Sequence, residues 1–112
     1  MKRVPVHLVA GPPGSGKLAL IARLIAERDG WATLSPGGCP CCTGRVDLQI
    51  GLARLLRERR PERVLVALPD GAHAVASRRV LGERPLAQYI VLGREIVLPE
   101  DAGLAAAELA GG

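Results

Sequence analysis

Three glycines and a lysine share one seven-residue stretch, Gly11-Pro12-Pro13-Gly14-Ser15-Gly16-Lys17, and the sequence on either side of it leaves few folds open. Before it, residues 4–10 are short, β-branched and mostly apolar, the pattern of a buried strand with Pro5 tolerable near its start. After it, Leu20, Ile21, Leu24 and Ile25 recur at helical spacing while Arg23, Glu27 and Arg28 fall on the other side, and Asp29-Gly30 ends the helix. A glycine turn that leaves a strand and opens a helix is the setting in which such a segment binds phosphate.

The chemistry of that binding is direct. Gly11, Gly14 and Gly16 allow backbone N–H groups to converge around Ser15, the helix N-terminus adds positive potential, and Lys17 supplies a point charge for terminal phosphates. The next position calls for a Ser or Thr hydroxyl to hold Mg²⁺, yet it is Leu18, followed by Ala19. Neither side chain can ligate a metal, so Gly11, Gly14, Ser15, Gly16, Lys17 and Leu18 are read as nucleotide-binding and no residue is assigned a catalytic role. A glycine turn serving only to join strand to helix is the lesser alternative.

Alternation continues along the chain. A short strand is predicted over 31–34, broken by Ser35-Pro36-Gly37-Gly38, and Thr43 offers a cap for a helix over 45–60. That helix carries Leu48, Leu52, Leu55 and Leu56 on one stripe, has Asp47 in its predicted first turn, and stops at Pro61. A third strand follows over 63–68, then a Pro69-Asp70-Gly71 exit turn and a helix over 72–81. Residues 88–92 and 95–98, separated by Gly93-Arg94, read as a hairpin or as one interrupted strand, and 100–110 as helical. At 112 residues two domains would each lack a core. The expectation is therefore one truncated α/β domain over 1–112, a minimal three-layer P-loop NTPase-like fold with a largely parallel sheet.

Composition removes several alternatives. With one Trp, one Tyr and no Phe, the core must come from Val, Leu, Ile and Ala, and stacking platforms for single-stranded nucleic acid are excluded. No apolar run approaches the roughly 18 residues of a membrane span, and Met1-Lys2-Arg3 leads into a run broken by Pro5 and His7, unlike a signal peptide. A cytoplasmic protein without a membrane partner is expected. The net charge of +4 favours anionic partners. Arg54, Arg57, Arg59, Arg60 and Arg63 cluster at the end of the second helix, where a solvated face is the preferred reading over a nucleic-acid contact.

Cys39, Cys41 and Cys42 stand within four positions, an odd count without a secretory signal, which argues against a disulfide framework. Thiolates this close can converge on Zn²⁺ or a similar transition metal. Tetrahedral coordination leaves a fourth ligand open to His73, water or another chain, so oligomerisation also stays open, and three protein ligands suit exchangeable binding. From spacing alone, three reduced thiols in a loop are nearly as good a reading. His7, inside the first strand, reads as a satisfied core or edge residue.

Taken in order, the GSGK loop, Gly38-Cys39-Pro40-Cys41-Cys42-Thr43 with Asp47-Leu48 after it, and Arg60-Pro61-Glu62-Arg63-Val64-Leu65-Val66 resemble the CobW family of metallochaperone GTPases over about residues 4–81. The resemblance implies GTP or another nucleoside triphosphate held at Lys17, a transition metal held by Cys39, Cys41 and Cys42, and a client metalloprotein as partner. It also marks departures. The family's Thr after the loop lysine is Leu18, its Glu after the third strand's apolar run is Ala67, and Asp70 lies beyond in a different register. The acidic switch segment is missing, and with no Asn and no Lys beyond Lys17 the guanine-selecting motif cannot exist. The expected function is a nucleoside-phosphate- and metal-binding protein with weak or lost hydrolysis. The alternative is a non-enzymatic metal-binding or partner-binding module that keeps the glycine loop as scaffold.

Overall fold

A computed structural model describes residues 3–36, 43–84, 86–98 and 109. In chain order the elements are β1 (Val4–Ala10), α1 (Lys17–Glu27), β2 (Trp31–Leu34), α2 (Thr43–Arg59), β3 (Arg63–Leu68), α3 (Gly71–Leu81), a 3₁₀ turn (Leu86–Gln88) and β4 (Ile90–Val97). The strands form a four-stranded sheet in the order β2-β3-β1-β4, and every pairing is parallel. From β1 the chain crosses to one side of the sheet, and from β2 and β3 it crosses back toward the other. Crossovers of uniform hand then require α1 on one face and α2 and α3 on the opposite face.

The buried side chains divide accordingly. Val6, Leu8 and Ala10 of β1 and Val64, Val66 and Leu68 of β3 pack with Leu48 and Leu52 of α2 and Ala74, Val80 and Leu81 of α3. On the other face Val9, Leu65, Ala67 and Ile96 meet Ile21 and Leu24 of α1 together with Leu98 and Leu109. The central strands are covered on both faces, which is why β1 and β3 read as continuous apolar runs rather than alternating ones. The three-layer α/β expectation is met, and the sheet is wholly parallel among the described residues.

Some boundaries differ from the sequence reading. Helix α2 starts at Thr43 itself, so Asp47 falls beyond its first turn and offers the helix dipole little. The helix expected over 100–110 lies outside the described residues except for Leu109, which is helical and fully buried.

Strand β4 resolves the hairpin question in favour of a single strand with a bulge. Pairing runs from Val6 with Leu92 to Leu8 with Glu95, so His7 stands opposite two residues, Gly93 and Arg94. The Arg94 amide donates to His7 Nδ1 at 2.7 Å, which fixes the extra residue in place. Because Nδ1 accepts, the proton of the neutral ring sits on Nε2, which is buried and has no partner among the described residues. His7 is thus a core residue satisfied on one nitrogen only. Burial, and after it the positive charges of Arg63 and Arg94, pull its pKa down to about 4.

This sets a pH dependence of stability. Between pH 6.5 and about 4 the unfolded chain binds a proton at His7 that the folded chain refuses, so stability falls as pH drops through that window. The loss amounts to about 3 kcal/mol by the bottom of the window. Urea unfolding at pH 7 and pH 4.5 measures it, and His7→Asn, whose amide oxygen can still accept from Arg94, is expected to flatten the curve. An unchanged slope in that variant would contradict the assignment.

Candidate anion-binding site

The chain leaves β1 at Ala10 and turns at once. Gly11 N donates to the Leu68 carbonyl at 3.0 Å, Ser15 N to Pro12 at 3.2 Å, and Leu20 N to Gly16 at 3.0 Å, closing the loop onto the first turn of α1. Gly14 and Gly16 have φ of 85° and 89°, where an L side chain is strained, and nothing lies within 4 Å of a Cβ built on either. At these two positions conformation, not crowding, demands glycine. Gly11 is different, since a Cβ there would stand 2.5 Å from Ser15 Oγ and 3.2 Å from Leu98.

Helix α1 begins without a side-chain cap and with no acidic residue in its first turn. Its leading N–H groups are therefore not offset by any carboxylate of the helix itself, and the macrodipole leaves that end positive. Left-handed glycines of this kind are the backbone conformation from which anion-binding concavities are built.

Lys17 Nζ donates to the Leu68 carbonyl at 2.9 Å, although the two residues are 51 apart in sequence. The ammonium thereby bridges the carboxyl ends of β1 and β3, adjacent strands whose following connections run in opposite directions. That is the topological switch point, where open α/β sheets bind ligands. The Leu68 oxygen is also served by Gly11 N, so it keeps a donor if Lys17 turns to a ligand.

The positions a magnesium ion would need are not equipped for it. Leu18 is 68% exposed and apolar, and Ala67 is buried in the α1-side core. Asp70, the one carboxylate just past β3, caps α3. Its Oδ1 accepts from His73 N at 2.8 Å and lies 2.8 Å from His73 Nδ1, and these two contacts hold its carboxyl below the ordinary carboxylate range. The donor set does not fit Mg²⁺.

Of the sequence-predicted residues, the structure brings together Gly11, Gly14, Ser15, Gly16, Lys17 and the start of α1 at Leu18. Ser15 Oγ is buried without a partner among the described residues. Cys39, Cys41 and Cys42 lie outside the described residues. No group of three or more His, Cys, Asp or Glu among the described residues is placed to hold a metal. Sequence reasoning missed two things here. The Leu68 carbonyl as partner of Lys17 is a main-chain atom and leaves no sequence signal. The Asp70 cap does leave one, an Asp three residues before His73 at a helix start, within the Pro69-Asp70-Gly71 turn.

Among known proteins, the chain is similar to the zinc chaperone YeiR of Escherichia coli (strain K12), with 33% identity over 86 residues. The match covers 54% of this chain and 26% of that protein, so the chain corresponds to about a quarter of the relative's length. No family model matches the sequence. No solved structure matches it.

Proposed function

We propose that this chain binds a nucleoside triphosphate, of GTP type, in the cradle of Gly11, Gly14, Ser15, Gly16, Lys17 and Leu18. In the same proposal Cys39, Cys41 and Cys42 carry zinc or a similar transition metal as cargo for a client metalloprotein, as a cytoplasmic CobW-like metallochaperone would. The whole chain acts as one nucleotide-binding domain, with hydrolysis weak or lost. The observation that carries the reading is the convergence of the glycine loop, the uncapped α1 N-terminus and the Lys17 ammonium at the β1–β3 switch point. Similarity to a zinc chaperone supports the metal half.

Hydrolysis is the part the residues disfavour. Efficient phosphoryl transfer needs charge stabilisation that one ammonium does not supply, and Leu18, Ala67 and the engaged Asp70 Oδ1 offer no replacement. A second reading, a metal- or partner-binding module whose glycine loop is scaffold, draws on the Lys17 to Leu68 bond, which gives the lysine a structural occupation of its own.

Titration with a fluorescent GTP analogue separates the two. Affinity is expected to be the same within about twofold in EDTA and in Mg²⁺, and Lys17→Ala to lower it about tenfold to a hundredfold, the worth of one charge-assisted contact. Leu18→Thr is expected to introduce a magnesium dependence. Wild-type binding that Lys17→Ala leaves unchanged, or no binding at millimolar nucleotide, would leave only the scaffold reading.

A further inference from the structure

At the amino edge of the sheet, a β1 length of about 23 Å from the glycine loop, lies a cleft of about 860 Å³. Its floor is apolar, formed by Val4 at the start of β1, Leu56 of α2, Pro61 before β3 and Leu86 of the 3₁₀ turn. Arg3, Arg57 and Arg60 stand on its rim. We propose that this cleft binds a small amphipathic anion, an alkyl carboxylate whose chain lies on the floor and whose head meets the three guanidinium groups.

Three observations carry this. The first is charge left over: among the described residues none of the three arginines takes part in an ion pair, whereas Arg28, Arg45 and Arg78 each have a carboxylate partner. The lining holds a single acid, Glu62, whose side chain also packs against Gly30, 3.0 Å from a Cβ built there, so three guanidinium groups face one carboxylate. The second is backbone strain at the rim. Arg60 has φ 46°, the sole non-glycine residue with positive φ among those described, at the α2 C-terminus where glycine is usual. Holding an arginine in that conformation costs about 1 kcal/mol, a cost that points to a use for its side chain. The third is shape and size. The volume falls within the range of small-molecule pockets, and the apolar floor has nothing to offer a nucleic-acid backbone, which brings phosphate without hydrocarbon.

The last carbonyls of α2 give this end of the helix a negative potential, so an anion here must be held by side chains, and the arginines supply that. An alkyl cation would find the apolar floor but only Glu62 to set against three guanidinium groups.

Calorimetric titration of the whole chain with dodecanoate, kept below its micelle concentration, tests the proposal. Saturable binding of one equivalent is expected. The double variant Arg57→Glu/Arg60→Glu, altered only at exposed positions, should weaken it at least about tenfold while leaving nucleotide binding at the glycine loop as in the parent. Dodecyltrimethylammonium should not bind, and inorganic phosphate should not compete. Equal binding of the alkyl cation, indifference to the double substitution, or competition by phosphate alone would overturn it. So would a dimer that the same substitutions dissociate, since a second copy would then be the occupant.

Discussion

Gly93→Ala is expected to remove about 3 kcal/mol of stability, at the upper end of what overpacking a buried site costs. A Cβ at this position would stand 2.3 Å from both Cε1 and Nδ1 of His7, a separation real structures do not tolerate. The ring cannot retreat. It is fully buried in a central strand, between β3 and β4, and Nδ1 is bound to the Arg94 amide of the same bulge. The substitution must therefore push β4 away from β1 or break that hydrogen bond. Against a total of about 5–15 kcal/mol for a domain of this kind, the fraction lost is large. Equilibrium urea denaturation reads it. Combining Gly93→Ala with His7→Ala should recover more than about 1 kcal/mol relative to the sum of the single effects, because the clash is between those two side chains. A Gly93→Ala protein within about 0.5 kcal/mol of the parent would show that the bulge is not set by the His7–Gly93 contact.

The second large effect concerns zinc. On the metallochaperone reading, reduced protein purified with excess zinc carries close to one equivalent, and Cys39→Ser/Cys41→Ser/Cys42→Ser carries none. Thiolate sulfur is the softest donor in the chain, and no oxygen or nitrogen cluster among the described residues offers the ion an alternative seat. Single serine substitutions should lower affinity stepwise, since each removes one ligand of an incomplete tetrahedron. Elemental analysis with a chromophoric chelator in competition gives both stoichiometry and affinity. Metal content unchanged in the triple variant would refute the site, whatever the nucleotide titrations show.

Much of this molecule could be read from its sequence, for reasons that lie in particular residues. The strand over 4–10 and the helix after Lys17 were legible because each has a clear apolar pattern and the glycine loop between them marks both boundaries. Leu48 and Leu52 announced the buried stripe of α2, and Val64 to Leu68 a strand covered on both faces. The β4 bulge was not legible, since Gly93 reads equally as a turn or as a close approach until His7, 86 positions earlier, is known to lie against it. The switch-point geometry also depends on strand order, which no local pattern encodes. Lys17 could be chosen as the phosphate residue from its spacing, but its present partner is a carbonyl 51 residues away. The arginine-rimmed cleft assembles from three separate stretches of chain, and in sequence Arg57 and Arg60 read as part of a solvated helix end.

The claim on which the functional account rests is that anionic oxygens are gathered by the main chain of the glycine loop. Amide chemical shifts of ¹⁵N-labelled protein titrated with GTP in EDTA test it directly. The account predicts that the Gly14, Ser15, Gly16, Lys17 and Leu18 amides shift first and saturate together. Saturable binding that leaves those five resonances in place and moves others would contradict it.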